Sequence, residues 1–344
     1  MRRPAVTLHD VARASGVSIS TASNALAGRG RVAPETRDRV VATAERLEFR
    51  PNALARSFVT GRSYTVGILA EHAPGTFSMP VLIGANSALS LSDLASLTYD
   101  AQNDPTLRRE YLLRMRTRRV DGVIVVGQGP DVVYPSISHS FPVPVVYAYA
   151  HSEDPRDTSY QPDNVMAGRL ATEHLIATGR TRIAHITAGS TLSAVRDRVS
   201  GMSAALAESD LTPAGAPLHG TWRRAWGAEA ADRLLASGIE FDAVFAGNDD
   251  IAHGVRARLE ASGRRIPDDV ALVGVDNFNR LTRMEDRSLT TIDLNLPQVG
   301  AAAAEHVLAA IAGTAESGSF SVPPTVVPGR STLGDIVPDD PPND

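Results

Sequence analysis

Four side chains stand where short apolar runs give way to polar residues. Asn248 follows Ala243–Phe245, and Asp276 follows the run that ends at Val275. Arg198 lies three residues before Gly201, and Trp222 lies five before Gly227. A carboxylate, an amide, a guanidinium and an indole suit recognition of a small polyol: the apolar ring face stacks, and charge-assisted bonds reach the hydroxyls. They do not suit covalent chemistry. The chain has no cysteine, no Gly-x-Ser-x-Gly elbow, no His-Glu-x-x-His and no Walker loop, and its nine histidines show no metal-ligand spacing. No catalytic residue, metal or cofactor is therefore expected, and the chain reads as a binding protein, not an enzyme. Asp249 reads as a charge at a helix N-terminus and Asp163 as the cap of a helix beginning at Asn164, both mainly structural.

Strands alternating with helices must position these groups. Strands are expected over Val66–Ala70, Leu97–Tyr99, Gly122–Val126, Val143–Tyr147, Arg182–Ile186, Ala243–Phe245, Val270–Val275 and Thr325–Val327. Helices are expected over Val81–Leu94, Thr106–Arg118, Asn164–Ala177, Ala194–Glu208, Trp226–Ala236, Asp249–Leu259 and Pro297–Ala312. This alternation gives parallel sheets with right-handed crossovers. Two similar halves imply a cleft between them, with ligands at the carboxyl ends of strands. The arginine-rich run Leu107–Arg119 keeps Leu107, Leu112 and Met115 on one face, so its charges read as a solvated helix face and not a nucleic-acid surface.

The first sixty residues differ in kind. Residues 1–62 carry 11 Arg against 5 acids, a net +6, so a chain of net charge −5 has −11 in its remainder. A basic head on an acidic body is expected when only the head meets phosphates. Thr7 can cap a first helix, with Asp10 as reciprocal partner; Gly16 permits a sharp turn; Ser18 can cap a second helix. Ala22, Ala25 and Leu26 then point inward, while Ile19, Ser20, Ser23 and Asn24 face out. Such a pair is either an ordinary helical hairpin or a DNA-binding helix-turn-helix. Pro34-Glu-Thr-Arg opens a third helix with Val40, Val41, Ala44 and Leu47 as its buried stripe and Phe49 closing the core. Asn52–Ser57 is too short to be a helix alone in water and would order only against a partner.

The ordered string Thr7-Leu-His-Asp-Val-Ala, Gly16-Val-Ser, Thr21-Ala-Ser-Asn, Val32-Ala-Pro-Glu-Thr-Arg, Arg50-Pro-Asn-Ala-Leu-Ala-Arg-Ser and Thr60-Gly-Arg-Ser resembles the lactose-repressor/galactose-repressor family of bacterial transcription regulators. The resemblance runs from about Val6 to Gly334. It implies that Ile19, Ser20 and Asn24 read bases in the major groove while Thr7, Ser18, Thr21 and Ser23 meet phosphates. It also implies a hinge helix at Asn52–Ser57, with Ala55 and Arg56 in or beside the minor groove. Phe58, where the family has a wedging leucine, is either that wedge or a loop residue packed under the core. The family's effector residues match at Arg198, Trp222, Asn248 and Asp276, with Phe77 after the first strand. Tyr149 stands where the family often has a sugar-binding carboxylate.

The expected fold is a small all-α helix-turn-helix DNA-binding domain plus an α/β periplasmic-binding-protein-like core of two parallel-sheet subdomains. Its expected parts are a DNA-binding domain (1–51), a hinge helix and linker (52–62), a two-lobed effector-binding and dimerisation core (63–334) and a disordered acidic tail (335–344). The expected function is that of a ligand-responsive transcriptional regulator, a repressor that binds a pseudo-palindromic double-stranded DNA operator as a homodimer under control of a small molecule, a sugar. The tail has no leucine heptads, so a dimer is the simpler assembly. The N-terminus has no apolar region of a signal peptide, and no run of 18 apolar residues offers a membrane span, so a cytoplasmic location without a membrane partner is expected. A transport-type binding protein and an enzyme on the same α/β core are the rivals; the basic head speaks against the first.

Overall fold

The computed structural model describes residues 6–26, 28, 30–49, 61–92, 94–277 and 287–335. The chain divides into a head that ends at Tyr64 and a body that begins at Thr65. In the head, α1 (Leu8–Ser15), α2 (Ile19–Leu26) and α3 (Pro34–Arg46) enclose Val11, Ala12, Ala22, Ala25, Val40 and Ala44. Leu8, Val17, Leu26, Val32, Leu47 and Phe49 pack around that core. The Thr7 backbone N–H donates to Asp10 Oδ2 at 3.0 Å, and Thr7 Oγ1 accepts from the Asp10 N–H at 3.4 Å, which makes the capping box. Gly16 ends α1 at φ 68°, which only glycine adopts without strain. Val41 is not in the stripe as expected: it is 36% exposed. Thr43, three residues after Val40, takes the inward place and satisfies its hydroxyl by donating to Arg39 O at 2.8 Å.

The body has two lobes. The first contains β1 (Thr65–Ala70), α4 (Ser78–Leu91), β2 (Ala95–Asp100), α5 (Pro105–Thr117), β3 (Gly122–Val126), β4 (Val133–Tyr134), β5 (Val145–Ala148), β6 (His151–Ser152) and β7 (Thr158–Pro162). The second holds α6 (Asn164–Ala177), β8 (Ile183–Ala188), α7 (Ser193–Glu208), β9 (Leu218–Gly220), α8 (Arg224–Ala236), β10 (Ala243–Ala246), α9 (Asp249–Ala261), β11 (Ala271–Val275) and β12 (Thr290–Asp293). The chain then returns to the first lobe with α10 (Leu296–Ile311) and β13 (Ser319–Val322). It ends on the second with β14 (Thr325–Val327) and α11 (Arg330–Leu333).

The first sheet runs β13-β7-β5-β3-β1-β2 and is parallel throughout; β4 and β6 pair separately. The second runs β14-β12-β11-β10-β8-β9, parallel except for β14. The chain thus crosses between lobes after β7, β12 and β13. β4, β6, β7, β9, β12 and β13 carry no apolar run of three residues or more and are not among the expected strands. The other eight lie within a few residues of their expected bounds.

Three helix pairs are each closed by two glycines. A Cβ on Gly84 of α4 would collide with the Pro297 carbonyl of α10, and one on Gly300 with the Val81 carbonyl. Gly168 of α6 faces the Arg198 carbonyl of α7, and Gly201 faces that of Val165. Gly227 of α8 faces the Ile251 carbonyl of α9, and Gly254 faces that of Arg224. Backbone packs on backbone in each pair, so there is no flexible side chain to give way.

Two outcomes are expected. Gly201→Val should cost at least about 1–3 kcal/mol through overpacking, read as a lower thermal midpoint. Gly238→Val, with open space where its Cβ would stand, should cost stability only through its φ of 72°. Buried His185 stacks on Phe245, and its Nδ1 lies 2.8 Å from the Phe245 carbonyl. Burial lowers its pKa from 6.5 to about 4. Between those values the unfolded chain binds a proton that the folded one does not. Stability therefore falls as pH drops through 6.5 towards 4. Urea unfolding at pH 7 and pH 5 should show a smaller loss for His185→Gln than for the parent.

Candidate functional site

The head presents one outward face. Ile19, Ser20, Ser23 and Asn24 on α2 are exposed, and Ile19 is 50% exposed. Thr7 and Ser18 are exposed too, but their oxygens already serve as caps: Ser18 Oγ accepts from the Thr21 N–H at 3.0 Å and pairs with Thr21 Oγ1 at 2.8 Å. These hydroxyls orient the helices while both residues stay exposed. Asn52, Ala55, Arg56 and Phe58 lie outside the described residues.

In the body, all six expected ligand residues line one cavity of about 310 Å³: Phe77, Tyr149, Arg198, Trp222, Asn248 and Asp276. Each sits at the mouth of a strand or the start of a helix. Phe77 precedes α4, Tyr149 follows β5, Trp222 precedes α8, Asn248 caps α9 and Asp276 follows β11; Arg198 is in the second turn of α7. Phe77 and Tyr149 face each other from the first lobe with ring centroids 6.2 Å apart. From the second lobe, the Arg198 guanidinium lies 5.6 Å from the centre of the Trp222 ring.

Arg198 is 5% exposed. Its Nε donates to Asn164 Oδ1 at 3.0 Å, its Nη1 to the Gly247 carbonyl, and its Nη2 lies 4.0 Å from Asp276 Oδ1. Burial lowers the Arg198 pKa, with Asp276 opposing; an arginine nevertheless stays charged. Burial raises the Asp276 pKa well above the usual carboxylate range, with Arg198 opposing and Asp249, Asp250 and Asp293 adding to the rise. Desolvation likewise pushes the Tyr149 phenol up. Asp276 has φ 110° and Asn277 φ 53°. Strain of this kind persists only when neighbours hold it. Here the Asp276 N–H donates to Ile292 O at 2.9 Å, and the Asn277 amide donates to Asp293 Oδ2 at 3.0 Å.

Asn248, among the expected ligand groups, is also committed to the protein. Asn248 Oδ1 accepts from the Ile251 N–H at 2.8 Å and its Nδ2 donates to the Trp222 carbonyl at 3.2 Å, so this amide ties Trp222 to α9. Asp249 is structural, as read from the sequence: it is buried and accepts from Thr291 Oγ1 at 2.6 Å. Asp163 caps α6 by accepting from the Met166 N–H at 2.8 Å.

Gln128, Asp131, Asn164, Asp250 and Leu294 also line the cavity and were not expected from the sequence. In the sequence Asn164 marks only a helix start. Asp131 is the most consequential. From the loop after β3 in the first lobe, its Oδ1 accepts from the Ser193 N–H at 2.5 Å, at the first residue of α7 in the second lobe. The residue before α7 is Leu192, which cannot cap it. An aspartate just before a predicted helix would have been a local signal; one sixty residues away leaves none.

Comparison with known proteins agrees with this architecture. The family model described as "Bacterial regulatory proteins, lacI family" matches residues 7–52, and that described as "Periplasmic binding proteins and sugar binding domain of LacI family" matches residues 63–327. The chain is 28% identical to the HTH-type transcriptional repressor PurR of Photobacterium profundum, over 88% of this chain and 91% of that one. It is 29% identical to the catabolite control protein A of Priestia megaterium, over 87% and 90%. Among solved structures, the complex of the transcriptional regulator CelR with cellobiose has TM-score 0.58 at 25% identity, covering 96% of this chain and all 100% of that one. The lac repressor dimer bound to operator and the anti-inducer ONPF has the same fold, with TM-score 0.64 at 24% identity over 96% and 99%. With a helix-turn-helix head and a two-lobed body that both match, this chain belongs to the LacI family of bacterial transcription regulators and is not an enzyme.

Proposed function

We propose that this regulator binds a pseudo-palindromic operator as a homodimer, under the control of a small molecule, a sugar, held in the cleft. The observation that carries the reading is the convergence of Phe77, Tyr149, Arg198, Trp222 and Asp276 on one cavity, in a chain that also presents a capped helix pair with a polar outward face. Ile19, Ser20 and Asn24 are the base readers; Thr7, Ser18, Thr21 and Ser23 meet phosphates. Asn52, Ala55, Arg56 and Phe58 supply the hinge contact in the minor groove. Indole and phenyl faces stack on the apolar side of a sugar ring, while Asp276 and Arg198 bond its hydroxyls. The cellobiose in the CelR structure and the operator-bound dimer of the lac repressor are consistent with these assignments.

A dimer is supported by the first lobe. α4 leaves Met79, Ile83 and Leu91 exposed, Leu91 at 91%, while Val81, Leu82, Ala85 and Leu89 of the same helix are buried. β2 beside it is an edge strand with its outer side unpaired in the sheet. A second copy of the chain is the partner that two-fold half-sites require.

Ligand control follows from closure. Asp131 joins the two lobes by capping α7, the helix that also carries Arg198. A ligand touching both lobes favours the closed form only by its differential affinity for it, typically about 1–3 kcal/mol of coupling to the DNA site.

Three measurements test this reading. Selection from random duplexes should return two-fold-symmetric sites, bound with a steep salt dependence; Ser20→Glu should weaken that binding at least about tenfold, since a carboxylate there faces phosphates and base edges. Unchanged duplex affinity in Ser20→Glu would count against the reading face. Ile83→Asp should move the protein towards monomer in sedimentation and lower operator affinity. In a thermal-shift screen of sugars and nucleosides, a hit should be lost in Trp222→Ala; a hit that survives would place the ligand elsewhere.

A further inference from the structure

Resting on the reading of the cleft as an effector site, the inventory of uncommitted polar groups points to its ligand class. Among the described lining residues, one side chain is cationic, Arg198, against the acidic residues Asp131, Asp250 and Asp276. The guanidinium is largely committed: Nε goes to Asn164 and Nη1 to the Gly247 carbonyl, leaving Nη2 as the nitrogen with no hydrogen bond among the described residues. A bidentate grip on a phosphate or carboxylate needs two free nitrogens on one edge. Asn248 and Gln128 use donors inside the protein as well, on the Trp222 carbonyl and on Asn103 Oδ1.

What remains open is acceptor capacity. Asp276 is buried, and its nearest cation among the described residues is 4.0 Å away, beyond a hydrogen bond. Asp131 uses Oδ1 on Ser193 and retains Oδ2. Asp250 lies 3.7 Å from Arg224 at the half-exposed rim. Arg196, which could otherwise turn inward, is exposed and donates to the Thr191 carbonyl. The cavity of about 310 Å³ is at the small end of ligand pockets, which span about 300–1,000 Å³.

We infer that the cleft selects a non-anionic, hydroxyl-rich ring of monosaccharide size and discriminates against the phosphorylated or carboxylated form of the same sugar. Hydroxyls donate to the Asp276 and Asp131 oxygens and accept from Arg198 Nη2. A phosphate or carboxylate is acceptor-only, and it would face the Asp131 and Asp250 carboxylates with one half-free guanidinium to meet it.

Calorimetric titration of the full-length protein with matched sets tests this. The neutral set is glucose, galactose, mannose, ribose and xylose; the charged set is glucose 6-phosphate, galactose 6-phosphate, ribose 5-phosphate, glucuronate, galacturonate and glucosamine. The expected result is that a neutral sugar binds, that its phosphate and carboxylate derivatives bind at least about tenfold more weakly, and that the amine derivative binds no more weakly than the phosphate. Asp250→Asn, with folding checked by circular dichroism, should narrow the gap between the neutral sugar and its phosphate. A phosphate or uronate that binds as tightly as its neutral parent, lost in Trp222→Ala, overturns the inference and leaves the sugar reading standing. If no member of either set binds while a purine or nucleoside does, also lost in Trp222→Ala, the sugar reading itself falls and the inference with it. A silent panel with all three overturns both.

Discussion

The Arg198 carbonyl rests against Gly168, with no room for a single methyl between them. That contact fixes α7 against α6 and so places the one cation among the described residues of the cleft. The partner helix supplies Asn164, whose amide oxygen takes the Arg198 Nε. The same construction recurs twice. The α8–α9 crossing carries Trp222 at the start of one helix and Asn248 at the start of the other, tied by their own hydrogen bond. The α4–α10 crossing carries Phe77 and, two residues before α10, Leu294. Each glycine pair is thus a spacer that sets the separation of two helix N-termini, and the cavity is lined by what those N-termini bear. A bulkier residue at a crossing would change the site without touching it.

Burying a guanidinium and a carboxylate is expensive, and at 4.0 Å Arg198 and Asp276 recover only part of that cost from each other. The protein meets the rest of the Arg198 requirement with fixed oxygens, Asn164 and the Gly247 carbonyl. No hydrogen-bond donor among the described residues does the same for the Asp276 side chain. There the protein holds the backbone instead, through Ile292, and fixes the next residue through Asp293 and Thr291. An acidic side chain kept rigid but under-bonded gains most from a donor that arrives from outside.

Much of this was legible in the sequence, for identifiable reasons. The capped helix pair is local: Thr7 with Asp10 and Ser18 with Thr21 each act across three residues, and Gly16 makes its turn alone. The apolar strands Val66–Ala70 and Gly122–Val126 announce themselves by composition. Arg198 and Trp222 were marked by their distance from Gly201 and Gly227, although the sequence did not say why those glycines mattered; each closes a helix crossing. What stayed hidden was non-local. β12 reads Thr-Thr-Ile-Asp, and its hydroxyls become tolerable in a core only because Asp249, Gly329, Ser331 and Thr332 bond that strand from distant parts of the chain. Val41 was placed inward on hydrophobicity alone, whereas Thr43 took the inward place because its hydroxyl could bond Arg39. Asp131 gave no signal because its partner is a backbone N–H in the other lobe.

That last contact also limits how the cleft can work. α7 begins with an unsatisfied N-terminus after Leu192, and the group that satisfies it belongs to the opposite lobe. Separating the lobes would break a charge-assisted bond at the positive end of a helix dipole and hand both groups to water. Closing them restores it and, on the same helix, leaves Arg198 facing Asp276 and the two aromatic walls. Water compensates exposed groups well, so this one bond tilts the balance by little in the empty protein. It becomes decisive once a ligand excludes water from its surroundings, because the alternative to pairing is then a buried carboxylate with nothing to accept from. On the proposed reading, closure and occupancy are linked through a bond that costs little to break when the cleft is wet and much more when it is filled.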